Sequence, residues 1–181
     1  MNELIKINFD QVAKILNLSK ENIDQRKKSF AEFAQNGFPT KKKEDWKFFD
    51  LRKIISTEIK DLKYFDEELI KEKYQKISFD KFPNYITENN LILLVNGRVR
   101  QINLNHENKK NIEIINSSES KIYETKNSLI ALNNALTSDH LKIRVKENYN
   151  FKKPLILFNI SNNKINSTSI NQKLDIILEK N

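Results

Sequence analysis

The chain has no cysteine, two glycines and two histidines in 181 residues. The absence of cysteine excludes disulfide frameworks, thiol catalysis and zinc or iron–sulfur centres ligated by cysteines of this chain. Two glycines are too few for a P-loop or a dinucleotide-binding turn, because both need several positions where the backbone approaches a phosphate. Two histidines also leave little for an imidazole-based metal site.

Long apolar stretches are missing as well. No apolar run approaches the roughly 18 residues that cross a bilayer, and the first residues, MNELIKINFD, lack the apolar core of a secretory signal. We therefore expect a cytoplasmic protein with no membrane partner. Hydrophobic residues make up 38% of the chain and include 11 Phe, which is enough to bury a core.

The charge is positive but thinly spread. Lys and Arg number 32 against 24 Asp and Glu, which gives a net charge of +8. Residues 41–43 form a basic triplet, and Glu44 and Asp45 follow at once. A nucleic-acid reader usually concentrates its charge in a stripe with interleaved aromatics. A small basic nucleic-acid-binding module is therefore the alternative interpretation and not the favoured one.

The first part of the chain has helical patterns. Ser19 is a good N-cap for a helix that reaches about Gln35, Gly37 supplies the left-handed residue that ends it, and Pro39 prevents its resumption. Its expected apolar face carries Ile23, Phe30, Ala31, Phe33 and Ala34. Shorter helices are expected at Gln11–Leu16, after Thr40 as a turn through Trp46, at Leu51–Ser56 after Asp50, and from Asp66 to about Tyr74.

Beyond Pro83 the pattern changes to short strands. Leu91–Val95 is an apolar run of strand length, and Asn96-Gly97 is a strong signal for a type I′ hairpin turn into a return strand, Arg98–Leu104. A short helix is expected at Ser128–Leu136. Further strands are expected at Asn111–Ile115, Leu141–Val145, Leu155–Ile160, Ser167–Ile170 and Leu174–Leu178.

Strands of this length with polar corners suit a sandwich, a barrel or a β-solenoid. The sequence ends at Asn181, just after an apolar strand and without a polar cap. Because terminal solenoid rungs are normally capped, we expect the chain to be the front part of a longer protein. A solenoid enzyme acting on polysaccharide would need a carboxylate cluster on one face, and the sequence shows none at matching positions.

Three stretches carry a family resemblance. Residues 33–51, FAQNGFPTKKKEDWKFFDL, resemble a signature near the N-terminus of the SufB/SufD family, closest to SufD. The segment ALNNA at residues 131–135, with Asp139 and the strand after it, and the strand–turn LVNGR at residues 94–98 are similar to further parts of that family. The matched positions are Gly37, Pro39, Thr40, Glu44, Asp45, Trp46, Asn96, Gly97, Ala131, Leu132 and Asn133.

The resemblance implies a fold and a role. The implied fold is α+β: an N-terminal helical domain, here residues 1–82, then the first rungs of a right-handed parallel β-helix, here residues 83–181. The implied role is that of a non-catalytic scaffold subunit that supports iron–sulfur cluster assembly and transfer. Its implied partners are a SufB-like scaffold and a SufC-type ATPase, whose docking region is expected outside this sequence.

The implied complex handles the cluster, so the resemblance assigns no catalytic, cofactor-binding or metal-ligating residue to this chain. No enzyme activity and no nucleic-acid partner are expected. His106 in a polar loop and His140 beside Asp139 are interpreted as surface histidines, since no motif places a nucleophile near them. Ser117–Ser120 is interpreted as a loop and helix cap.

The aromatic residues of the signature allow two interpretations. In the favoured one, Trp46, Phe48 and Phe49 are buried and pack the helical domain onto the β region, where each contributes on the order of 2–3 kcal/mol. In the other, the segment is a docking surface for a partner.

Overall fold

The protein is described here by a computed structural model that covers residues 6–42, 44–73, 78, 82–105, 108–162 and 165–180. Within these ranges the helices are α1 (Phe9–Leu16), α2 (Lys20–Asn36), α3 (Leu51–Ile54), α4 (Glu67–Lys71), α5 (Asn84–Thr87) and α6 (Ser128–Leu136). The strands are β1 (Asn90–Val95), β2 (Arg98–Asn103), β3 (Ile112–Ser117), β4 (Asp139–Val145), β5 (Leu155–Ile160) and β6 (Gln172–Leu178). Short 3₁₀ turns lie at Glu44–Trp46 and Asn108–Lys110, and a π-helical turn at Ile55–Ile59 follows α3.

Side-chain caps define the helix starts. The Ser19 hydroxyl accepts a hydrogen bond from the Asn22 amide at 3.3 Å, which confirms the predicted start of α2. Asp50 and Asp66 accept in the same way at the first turns of α3 and α4, each at 3.0 Å. The Asp50 cap was predicted from the sequence, whereas for Asp66 the sequence predicted only a helix that begins there. The predicted end of α4 near Tyr74 lies outside the described residues.

Gly37 ends α2 as predicted. Its amide donates to the Phe33 carbonyl at 2.6 Å, and its φ of 65° is a value that side chains disfavour. The buried line of α2 runs through Asn22, Arg26 and Phe33, whereas Ala31 and Ala34 are exposed. The expected apolar face was therefore partly wrong.

The strands form two small mixed sheets. In the first, of order β2-β1-β5, β1 pairs antiparallel with β2 and parallel with β5. In the second, of order β3-β4-β6, β4 pairs antiparallel with β3 and parallel with β6. Each sheet therefore has a central strand with one antiparallel and one parallel neighbour.

This arrangement corrects the predicted fold class. A β-solenoid stacks its strands in parallel from rung to rung, and the described residues show no such stack. Instead the chain is mixed α/β, with two three-stranded sheets that each contain an antiparallel pair. The prediction failed because short strands with polar corners suit several architectures. The hydrophobic period of a strand identifies it as a strand but does not specify its partner. The predicted strand at Ser167–Ile170 is reduced to a single bridge between Thr168 and Lys63.

Two apolar clusters stabilise the fold. The first takes Ile92 and Leu94 from β1, and Leu141, Ile143 and Val145 from β4, so the two sheets share one core. Strand β1 is buried along its whole length, which explains why its residues 91–95 are all apolar and do not alternate with polar ones. The second cluster joins Phe33 of α2 to the residues Ala131, Leu132, Ala135 and Leu136 of α6.

The second cluster crosses the predicted boundary between residues 82 and 83. Helix α2 belongs to the predicted helical domain and α6 to the predicted β-rich region, and they pack directly on each other. A backbone bridge also connects Lys63 with Thr168. The division into domains 1–82 and 83–181 stays a prediction.

Candidate interaction site

The signature begins with a buried turn. An added Cβ at Gly37 would lie 3.1 Å from Nη2 of Arg52, the end of a flexible side chain, so the positive φ of 65° is the stronger reason for a glycine here. Pro39 is buried and Thr40 half-buried. Phe38 packs on the second apolar cluster, with its ring 5.0 Å from that of Phe33, edge to face. After this turn the chain becomes exposed at Lys41 and Lys42.

The following residues, 41–53, are named the aromatic–basic segment. The rings of Trp46 and Phe49 are 6.0 Å apart and tilted by 48°. Trp46 is half-buried, while Phe49 is 49% and Phe48 86% exposed. The prediction that all three aromatics are buried is therefore wrong for the two phenylalanines. Asp45 is exposed beside them, and the side chain of Glu44 lies outside the described residues.

One cation contacts these aromatic side chains, and others lie close to them in the sequence. The Lys47 ammonium lies 4.9 Å from the centre of the Phe48 ring, within the range of a cation–π contact. The segment contains six basic and three acidic residues in the sequence. Its described and exposed basic residues are Lys41, Lys42, Lys47, Arg52 and Lys53.

The second matched stretch is a turn locked against its surroundings. Asn96 and Gly97 have φ of 53° and 75°, as a type I′ turn requires, so the predicted hairpin is confirmed. Asn96 is buried, and its side chain exchanges hydrogen bonds with Asn162 at 3.0 and 3.1 Å. An added Cβ at Gly97 would lie 2.1 Å from Cγ2 of Ile170. These contacts hold the turn in place against residues 162 and 170.

The third matched stretch lies on α6, whose bounds agree with the prediction. Ala131 and Leu132 are buried against α2. Asn133 donates from its side-chain amide to the carbonyl of Gln172 at 3.1 Å, which ties α6 to the start of β6. This stretch therefore couples the helical layer to the second sheet.

The most deeply buried charge of this region was missed by the sequence analysis. Arg26 is fully buried and donates to the carbonyls of Ser118, Ala135 and Thr137 at 2.7, 3.1 and 2.8 Å, and to Oδ1 of Asn22 at 2.7 Å. Burial lowers the pKa of the guanidinium to about 10. The available signal was a cation lying three residues after Ile23 and four before Phe30, within the apolar stripe of α2.

Residues 117–120 also contact α2. The Glu119 carboxylate accepts from the Ser19 amide at 2.5 Å, and this hydrogen bond lowers the pKa of Glu119. The Asn22 side chain donates to the Ser120 carbonyl at 2.9 Å. The predicted loop holds for residues 118–120, whereas Ser117 is the last residue of β3 and the described residues directly after Ser120 begin no helix. The loop instead contacts the N-terminal end of α2 through Ser19 and Asn22.

The sequence analysis also missed an ion pair that links the two sheets. Nε of Arg98 on β2 is 2.7 Å from Oδ2 of Asp139 on β4, and Nη1 of Arg98 donates to the carbonyl of Ile70. The Asn116 amide donates to Oδ1 of Asp139 at 2.7 Å. Burial nevertheless raises the pKa of Asp139, opposed by Asn116 and Arg98.

One of the two histidines lies in the described part of the chain. His140 is buried on β4, not in an exposed turn as expected, and its Nε2 lies 2.9 Å from Oδ2 of Asp175 on β6. His106 lies outside the described residues. Among the described residues, no group of three or more His, Asp or Glu side chains is placed to hold a metal ion. In the same part of the chain, no helix has the length and hydrophobicity needed to cross a membrane.

A comparison with protein families gives an independent result. Residues 3–157 match the family model described as the SufBD protein N-terminal region. A comparison with curated proteins gives no match. The matched span contains all three stretches on which the resemblance rests, and it covers most of the chain. The chain therefore belongs to the SufB/SufD family, and its residues 3–157 correspond to the N-terminal region of that family.

Proposed function

We propose that this chain is a non-catalytic, SufD-like scaffold subunit of an iron–sulfur cluster assembly complex in the cytoplasm. The observation that carries the proposal is the family match over residues 3–157, because this family takes part in iron–sulfur cluster assembly. In the proposed complex the chain pairs with a SufB-like scaffold, and a SufC-type ATPase hydrolyses ATP. The cluster is cargo of the complex and not a cofactor held by this chain.

The chemistry of the chain supports a structural role. The chain has no cysteine thiolate to ligate iron. Its two glycines, at turn positions 37 and 97, are too few and too far apart to form a phosphate-binding loop. The matched residues that the structure describes mostly pack or fix turns, as Asn96, Ala131 and Asn133 do. The preference for SufD over SufB rests on the sequence signature and on the missing cysteines.

The experiment is co-purification. The chain is expressed with the SufB-like and SufC-type proteins of the same organism, and the complex is analysed by size-exclusion chromatography with light scattering. We expect co-elution with the SufB-like protein and no ATP hydrolysis by the chain alone. Separate elution from both proteins would contradict the proposal.

The alternative, a nucleic-acid-binding module, is tested in parallel. The chain is titrated with duplex and single-stranded DNA at two salt concentrations. Binding that falls steeply with salt would favour the alternative, because phosphate contacts release counterions. We expect no such binding, since the basic residues are interspersed with acidic ones.

A further inference from the structure

Two neighbouring aromatic side chains, Phe48 and Phe49, are exposed and lie outside the apolar core clusters. Phe48 is 86% and Phe49 49% exposed, whereas Phe30, Phe33 and Phe38 of the same half of the chain pack around the second core cluster. Two neighbouring exposed rings keep apolar area in water, which costs about 25 cal/mol per Å² relative to burial. Exposed apolar patches of this kind mark sites of interaction.

The two rings are held by local structure. The 3₁₀ turn at Glu44–Trp46 precedes them, and the Phe49 amide donates to the Trp46 carbonyl at 2.8 Å. After them, Asp50 caps α3 through the Lys53 amide at 3.0 Å. The Lys47 ammonium also lies over the Phe48 ring. Binding of a partner therefore costs this segment less conformational entropy than it would cost an unstructured loop.

The charge around the rings specifies the chemistry of the partner. Five exposed cations of the segment are described, and Asp50 is already used in capping α3. Aromatic and arginine side chains are typical of binding hot spots, and complementary charge around them sets specificity and association rate.

We propose that the aromatic–basic segment, residues 41–53, docks a partner protein that presents an apolar pocket for Phe48 rimmed by carboxylates. This inference rests on the proposed function, because the partner is a protein of the assembly complex. Phe48 fills the pocket, Phe49 and Trp46 cover its edge, and the lysines pair with the rim.

The intervening acids favour a protein over a phosphate surface. Asp45 is exposed in the middle of the segment, and the sequence places Glu44 beside it. A nucleic-acid backbone or an anionic membrane presents only negative charge, so these carboxylates weaken its attraction to the cations of the segment. A protein rim offers donors as well as carboxylates, so it accommodates both signs.

The test compares variants of the full chain by isothermal titration with the SufB-like scaffold and with the SufC-type ATPase, at low and high salt. The variants are Phe48→Ser and Lys47→Glu. Their matched controls are Tyr85→Ser, an aromatic that is 67% exposed elsewhere, and Lys126→Glu, an exposed lysine outside the segment. Thermal melts of all four confirm that the fold is retained.

We expect the wild type to bind one of the two proteins and Phe48→Ser to weaken that binding by about tenfold or more. Lys47→Glu weakens binding by about tenfold at low salt and less at high salt, because salt screens exposed charges. Both controls are expected to remain within about twofold of the wild type.

Three results would overturn the inference. If the wild type binds and Phe48→Ser binds equally well, the docking surface is refuted while the proposed function stands. If the wild type binds neither protein, both fail. If Phe48→Ser abolishes binding to phosphatidylserine vesicles or to single-stranded DNA, the segment serves a different class of partner.

Discussion

Nη1 of Arg26 donates to the Thr137 carbonyl at 2.8 Å, across 111 positions of sequence. The same nitrogen reaches the Ala135 carbonyl, so one side chain of α2 satisfies the C-terminal end of α6. This contact attaches the helical segment to the β-rich part of the chain. It also lies within the matched family region.

Replacing Arg26 by Ala is therefore expected to destabilise the protein strongly. Three carbonyls lose their donor in a buried site, and the free energy of unfolding falls by about 3–5 kcal/mol. Chemical denaturation measures this change. Lys28→Ala, an exposed position on the same helix, is the control and is expected to stay within about 0.5 kcal/mol of the wild type. Equal stability of both variants would show that the buried guanidinium contributes nothing.

Gly97→Ala is expected to lower the free energy of unfolding by about 1–3 kcal/mol. Two causes add: the positive φ of 75° and the overlap of the new methyl with Ile170. A double-mutant cycle with Ile170→Ala separates them by thermal unfolding. The double variant should regain the stability that Gly97→Ala loses through the overlap. It should keep the loss that the positive φ causes. Simple additivity of the two single changes would refute the contact.

Asp139 predicts an unusual pH dependence. Because burial raises its pKa above the ordinary value of 3.8, the folded state binds the proton more tightly than the unfolded state. The contribution of this group to stability is therefore present at low pH and is lost as the pH rises from 3.8 through the raised folded pKa. The stability difference between the wild type and Asp139→Asn should fall over that range. A difference that grows with pH would mean that Arg98 outweighs burial.

The two classes of phenylalanine are distinguished by stability measurements. Phe33 is buried, and Phe33→Ala is expected to cost about 3–5 kcal/mol. Phe48→Ala should change the free energy of unfolding by less than about 0.5 kcal/mol, because its ring is exposed. Urea denaturation of both variants provides the comparison. A large loss for Phe48→Ala would restore the interpretation that this ring packs the fold together.

Local elements were predictable because their signals are local. Helix α6 and strand β5 have the predicted bounds, and the turn at Asn96-Gly97 has the predicted conformation. Asn127, which caps α6 by accepting from the amides of Leu129 and Ile130, shows how short-range chemistry defines such an element.

The rest depends on contacts between distant residues. The parallel pairing of β1 with β5 joins Asn90 to Leu155, and nothing in either strand specifies the other. For the same reason the two mixed sheets replaced the predicted solenoid. Arg26 was overlooked because a cation in an apolar stripe is ordinarily exposed, and the exposure of Phe48 contradicts the usual preference of aromatics for the core.

The most direct test of the central claim is cluster transfer. Complexes of the SufB-like and SufC-type proteins are prepared with and without this chain, and delivery of an iron–sulfur cluster to an apo-ferredoxin is followed by absorbance. The account predicts that transfer requires the chain, while the chain alone neither hydrolyses ATP nor delivers a cluster. Equal transfer without the chain, or ATP turnover by the chain alone, would contradict it.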